Sequence, residues 1–337
     1  MSYHVYVSNS GNDYFSKFVM DADSGKLTQE ADIQMSGSPG TVATTADGSL
    51  MFVCLRQDKV FQSLRIDRSS GALTPIGQVP LHDGSPYVKT DNTDRFLLAS
   101  YYGSGHVSVH AINDDGTLSD EPLQKIETEI RAHSIQTDRS NRFAFVPHTN
   151  PSNAIYQFRF DETSGALSAN DPPKVQPETP EGPRHFAIHP NKDLLYSINE
   201  NGCTVSAYHF DLENGTLSSF QVISTHPEGV TPEGKSTAEI RITQDGKHLY
   251  ASNRGHDSLA IFGIDDDGTL TAKGHQPTEE TPRFFAIDPT GNYILSAGQG
   301  SGRLATYKID HGSGALEEKE TFKVGESPLW IQFVEKT

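Results

Sequence analysis

One short phrase recurs seven times along this chain of 337 residues. It reads SGKLT around Gly25, SGALT around Gly71, DGTLS around Gly116, SGALS around Gly165, NGTLS around Gly215, DGTLT around Gly268 and SGALE around Gly314. The glycines follow one another at intervals of 46, 45, 49, 50, 53 and 46 residues. A sustained period of this size marks a repeat architecture. Length alone would suggest two domains, but an unbroken repeat points to one array spanning 1–337. Locally the phrase is hairpin-turn chemistry. Asp, Asn and Ser bond their own backbone, and Gly accepts the positive φ of a tight turn. DDDG at Asp265 to Gly268 lacks the distal Glu of a calcium loop and reads as another such turn.

A second phrase keeps the same period: a turn followed by an alternating strand, as in NTDRFLLAS from Asn92 and QDGKHLYAS from Gln244. A third is a β-rich run just before the glycine turn, as in VFQSLRID and TVSAYHFD. No long window has clean helical periodicity. Each repeat therefore predicts four antiparallel strands, A to D, with A–B and C–D turns at one end and B–C and D–A loops at the other. Seven such units fit an all-β fold, the seven-bladed β-propeller, whose blades number about four to eight. YHVYVSN reads as a B strand, and SPLWIQFVEKT as an A strand that lacks its B. The C-terminal strand is therefore expected to pair with the N-terminal strands and close the ring, which removes open sheet edges.

The formal net charge of −17 argues against nucleic acid, whose phosphates need a basic face, and against an anionic membrane surface. MSYHVYVSNS is already strand-like and carries no leader pattern. No apolar run approaches membrane-spanning length, so a cytoplasmic protein is expected. Cys54 and Cys203 lie in strand patterns of different repeats and read as buried free thiols. Asp171 to Pro183 reads as the longest irregular loop.

The stereotyped turns all belong to the A–B and C–D end, so chemistry is expected at the other. The A-strand entrances offer His133, Arg184, His185, Glu239, Arg283 and Trp330. The B-strand exits offer Arg56, Tyr101, Tyr102, His148, Asn199, Glu200, Asn253, Arg254 and Gln299. With A strands innermost, these groups converge on one mouth as a mixed set of acids, bases and cations, the pattern of a polar binding site. His189 falls where another repeat has the Asp of DPTGN and reads as a turn residue; His248 reads as structural. No set has metal-ligand spacing, and GQGSG at Gly298 lacks the helix a phosphate-cradling loop opens. No metal or cofactor is expected.

HSIQTD, GPRHFAIHPN, SINEN, AEIRITQDGKHLYASNR, TPRFFAIDPTGNYILSAGQ and VGESPLWIQF span the chain in constant repeat phase. In these stretches the chain resembles the seven-bladed propeller lactonases. That resemblance implies hydrolysis of a sugar lactone, 6-phospho-D-glucono-1,5-lactone, in the pentose phosphate pathway. A carboxymuconate-lactonizing relative uses a His, two Arg and a Glu, which the resemblance places on His133, Arg184, Glu200 and Arg254. The entrance GSPYVKTD, near Tyr87, is shorter than the family pattern. His185, Asn199, Glu239, Arg283, Gln299, Trp330, Arg56 and Tyr101 complete the expected substrate contacts. Either Glu200 or His133 could serve as base. The alternatives are a carboxymuconate-type cycloisomerase and a non-catalytic propeller that binds a ligand or protein. The expected partner is a small anionic lactone; nothing in the sequence sets an oligomeric state.

Overall fold

The computed structural model describes residues 1–337, which form strands and turns and no helix. The strands make seven antiparallel sheets, each ordered A-B-C-D. The first sheet draws on both ends of the chain: Pro328–Glu335 pairs with Ser2–Asn9, and Ser2–Asn9 with Tyr14–Asp21. Its outer position is split between Leu27–Gln29 and Ile33–Gln34, both paired to Tyr14–Asp21. The expected closing strand is thus in place.

The residues group into two compact units: Met1–Val146 with Phe158–Ala169 and Val324–Thr337, and Pro147–Gln157 with Asn170–Lys323. In the first, the A strands Pro328–Glu335, Pro39–Thr44 and Tyr87–Thr90 lie side by side in that order. In the second, Pro183–Ile188, Ser236–Ile242 and Pro282–Ile287 do the same. Sheets stack face to face within each unit. Phe52, Cys54 and Phe61 meet Val88, Leu97 and Tyr101 in the first. Tyr196, Ile198 and Val205 meet Ile240, Leu249 and Phe262 in the second. A sheet covered on both faces needs apolar residues at successive positions. Leu50–Leu55 and Leu194–Asn199 accordingly bury nearly every residue.

The recurring turns explain their own repetition. All seven glycines have φ between 70° and 90°, a region that side chains resist. Several are also pressed against the B strand of the preceding sheet. A Cβ on Gly268 would stand 2.3 Å from Leu194 Cδ1, and one on Gly116 2.6 Å from Leu50 Cδ2. The glycine carbonyls accept hydrogen bonds from buried tyrosines of that strand: Tyr6 to Gly71 at 2.9 Å, Tyr196 to Gly268 at 2.7 Å and Tyr250 to Gly314 at 2.8 Å. A neighbouring clip uses glutamine. The Gln221 amide accepts from Leu270 N–H at 2.8 Å and donates to its carbonyl at 2.9 Å; Gln124 does the same to Leu167. Each such bond is worth about 1 kcal/mol net.

One expected loop differs. Ala166–Val175 is a D strand and runs through the first part of Asp171 to Pro183. Prolines survive there because the outermost strand has one side with no partner to donate to. DDDG is a turn: Gly268 N–H donates to the Asp265 carbonyl and Thr269 N–H to Asp267 Oδ1. Cys54 and Cys203 are free and buried.

Deleting Leu329 to Thr337 would remove the strand that pairs with Tyr3 to Asn9 and leave Val5 and Val7, now fully buried, on an open edge. The truncated protein is expected to melt well below the intact chain in a single transition. Unchanged thermal unfolding by circular dichroism would contradict this.

Candidate active site

The A strands of the second unit do not run regularly at their entrances. The register of Pro183–Ile188 against its neighbour shifts between Pro183 and His185, placing Arg184 on a bulge. Pro282–Ile287 shifts between Pro282 and Phe284, placing Arg283 on one, and Ser236–Ile242 shifts between Thr237 and Ile240, around Glu239. A bulge inserts an unpaired residue and re-aims its side chain. Three successive A strands thus present charged residues from bulges. The preceding residue has positive φ at Gly182 and at Thr281, and a proline follows each. At Gly182 only glycine fits, since a Cβ would meet Asn201 Oδ1 at 2.2 Å.

The charges these bulges gather form a connected set. Arg184 is 2% exposed; its Nε lies 3.2 Å from Glu200 Oε2, and an Nη donates to the Ala238 carbonyl. Glu200 Oε1 accepts from Arg254 at 2.9 Å, and the same Arg254 nitrogen donates to the Thr237 carbonyl at 2.7 Å. Behind them, His185 Nδ1 lies 2.9 Å from Glu239 Oε2, and Arg241 approaches Glu239 Oε1 at 3.4 Å. Glu200 and Arg254 keep 20% and 13% of their side chains exposed, whereas Glu239 keeps 1%.

This packing sets the protonation states. Burial, then Arg283, pulls Arg184 down to about 9, so it stays charged at neutral pH. Burial pushes Glu200 upward, but Arg184 and Arg254 outweigh it and hold the carboxyl below its usual range. Burial drives His185 well below its ordinary value, and Arg184, Arg241, Arg283 and Arg254 add to the effect, so the imidazole is neutral. Burial raises Glu239 against the pull of Arg241 and Arg184.

Of the residues expected from sequence, the second unit brings together Arg184, His185, Glu200, Glu239 and Arg254, with Arg283 near enough to bear on three of them. Asn199 is turned inward: its amide nitrogen donates to Thr204 Oγ1 and Ser206 Oγ, each at 2.8 Å. Gln299 is half-buried, its N–H bonded to the carbonyl of Thr281, two residues before Arg283. His148 and Asn253 also lie in the second unit, fully buried, and the first unit holds Arg56, Tyr101, Tyr102, His133 and Trp330. Its B–C and D–A loops border an open pocket of about 530 Å³ lined by residues that include Ser10, Ser38, Arg56, Asp83 and Tyr102. Tyr101 does not line it; it is buried in the core, bonded to Ser108 and stacked on His106. The last residue of that strand points into the sheet stack, and the next, Tyr102, faces the loops. His133 is buried with its ring edge-on to Tyr102, and Trp330 packs against Tyr87 with centroids 5.5 Å apart. His189 plays the turn role expected: its Nδ1 accepts from Asn191 and Lys192 N–H groups. Sequence reasoning missed Arg241, although it stands two residues after Glu239, the spacing that shares one face of a strand.

The chain matches the family model described as Lactonase, 7-bladed beta-propeller, over residues 2–86 and 61–333. It belongs to the seven-bladed β-propeller lactonase family. Within it, a 6-phosphogluconolactonase of Pectobacterium carotovorum is 33% identical over 328 residues, 97% of each chain. One of Klebsiella pneumoniae is 32% identical over 332 residues, 98% of each. In fold, the chain is similar to the periplasmic gluconolactonase of Pseudomonas aeruginosa, with a TM-score of 0.90, 23% identity and all of both chains covered. No group of three or more His, Cys, Asp or Glu in this propeller lactonase is arranged to hold a metal ion.

The buried imidazoles make the fold acid-sensitive. His185, and His226 at about 4, are lowered chiefly by burial, as are His4 and His110. The unfolded chain binds protons near 6.5 that these folded groups refuse, so stability falls as pH drops below that value. The melting temperature is expected to decline steadily from pH 7.5 to pH 5, and less so in His226→Gln. A flat profile over that range would contradict it.

Proposed function

We propose that this lactonase hydrolyses 6-phospho-D-glucono-1,5-lactone to 6-phosphogluconate. One observation carries the reading: a carboxylate held ionised between two guanidiniums at the loop end of the sheets. The names of the relatives at 33% and 32% identity support the choice of substrate. Glu200 Oε2 lies against Arg184 Nε, and Oε1 accepts from Arg254, so the carboxylate is clamped at both oxygens.

In this reading Glu200 takes a proton from the attacking water as its oxygen bonds the lactone carbonyl carbon. Arg254 stabilises the oxyanion that forms, a contribution of roughly 3 kcal/mol for one such donor. The tetrahedral intermediate collapses, the ring C–O bond breaks, and the ring oxygen receives the proton held by Glu200. Arg283 supplies fixed positive charge for the substrate's phosphate, to which a planar guanidinium fork is suited, and Arg184 holds Glu200 in place for the proton transfer. His133 is the other residue that could serve as base. We infer a cytoplasmic location from that substrate, because a phosphorylated sugar is confined by its charge to the compartment that makes it.

Freshly generated 6-phosphogluconolactone should disappear faster with the protein than by spontaneous hydrolysis, and equally fast after exhaustive treatment with EDTA. Glu200→Gln is expected to lower kcat by about 10²–10⁴ with little change in KM. A wild-type rate in Glu200→Gln, or turnover of carboxymuconolactone alone, would overturn the reading. A larger loss in His133→Asn than in Glu200→Gln would move the base to His133.

A further inference from the structure

His185 and Glu239 were expected to touch the substrate, yet they are among the most deeply buried polar groups in the protein, 3% and 0% exposed. We propose that they are positioning residues: the Glu239 carboxylate fixes one tautomer of His185, and His185 in turn holds the guanidinium of Arg184 in place.

The geometry defines the chain of contacts. Glu239 Oε1 accepts from the Ile240 N–H at 3.1 Å and faces Arg241, which orients the carboxylate. Its other oxygen, Oε2, lies 2.9 Å from His185 Nδ1. A neutral imidazole donates through one nitrogen and accepts through the other. With Nδ1–H given to the carboxylate, Nε2 carries the lone pair. That lone pair points at an Nη of Arg184, 3.4 Å away. The opposite tautomer would set N–H against N–H at this contact and lone pair against carboxylate at the other. A protonated ring would put a further cation beside Arg184, Arg241, Arg283 and Arg254.

The result is a guanidinium constrained on several sides. Glu200 faces Nε, and the Ala238 carbonyl and His185 Nε2 both face one Nη. Ala238 and Glu239 sit together on the irregular stretch of Ser236–Ile242, so one backbone feature supplies both supports. A displacement of about 1 Å in such a group can cost ~100-fold in rate. The proposal rests on the reading of Arg184 as part of the lactone site.

A double-mutant cycle on kcat tests it, with 6-phosphogluconolactone as substrate. Arg184→Met alone should lower kcat by about 10²–10³. His185→Asn keeps a donor toward Glu239 but offers nothing to Arg184, and should lower kcat by about 10- to 100-fold. His185→Gln puts an amide oxygen where Nε2 stood and should recover much of that loss. Combining His185→Asn with Arg184→Met should cost no more than Arg184→Met alone, because there is no longer a guanidinium to hold. Losses that multiply, or a wild-type His185→Asn beside an impaired Arg184→Met, would overturn the positioning role and leave the site reading intact. Full activity in Arg184→Met would remove the site reading and the positioning role together. Should His185→Asn not fold by circular dichroism, Glu239→Gln replaces it in the same cycle with the same criteria.

Discussion

A four-stranded sheet with apolar residues on both faces cannot be stable alone, and everything in this protein follows from how each sheet is held to the next. The recurring contact is the hydrogen bond from a buried tyrosine to the carbonyl of the neighbouring turn's glycine, as from Tyr196 to Gly268 and from Tyr250 to Gly314. It demands a turn that comes close enough to be reached, hence a residue without a side chain. It also demands a positive φ, which the same residue supplies. The leucine two residues later fills the space below and is bonded at both backbone groups by a glutamine of the adjoining sheet at Leu270 and at Leu167. A tightly constrained contact repeated at a regular interval is what appears in the sequence as a phrase.

The opposite end of the sheets is governed by charge rather than by fit. Placing Arg184 and Glu239 in a dry interior costs several kcal/mol per ion, and pairing them repays this only in part. A stability argument would favour apolar residues there. The arrangement makes sense if the ions are kept for what they do. Paired carboxylates and guanidiniums hold each other still, so little reorganisation is needed when charge develops on a bound molecule. The bulges at Arg184, near Glu239 and at Arg283 bring this about in backbone terms. A regular strand would alternate its side chains between two sheet faces, and each bulge frees one residue from that alternation.

Much of this could be read in the sequence because its causes are local. The seven sheets and the turn roles of His189 and Gly268 depend on residues within a few positions of one another, and the split first sheet follows from the phase of the repeat at the two ends of the chain. Arg184, Glu200 and Arg254 were legible because strand ends have fixed destinations in a repeat. Strand ends do not, however, say which way a side chain turns. Tyr101 lies inside the stack and Tyr102 faces the loops, and Asn199 serves its own hairpin. The His185–Glu239 contact joins residues 54 apart on strands whose register is broken by bulges. Arg241 was missed although it stands two residues after Glu239, where regular alternation already puts both side chains on one face of the strand. Asp171 to Val175 was misjudged because prolines usually signal a loop, and an outermost strand tolerates them.

The separation of the two ends has an evolutionary consequence. In most enzymes a change that alters the active site also loosens the scaffold, and the two effects must be balanced against each other. Here the residues that fasten one sheet to the next occupy the glycine-turn end of the strands, and the charged set of Arg184, Glu200 and Arg254 occupies the other. The B–C and D–A connections can lengthen, shorten or exchange a tyrosine for an arginine while the Tyr–Gly and Gln–Leu contacts stay as they are. A scaffold of this kind can take on a new small molecule in many small steps without passing through an unstable intermediate. What it cannot readily change is the entrance at Gly182, where the fit of the fold and the aim of Arg184 meet in adjoining residues.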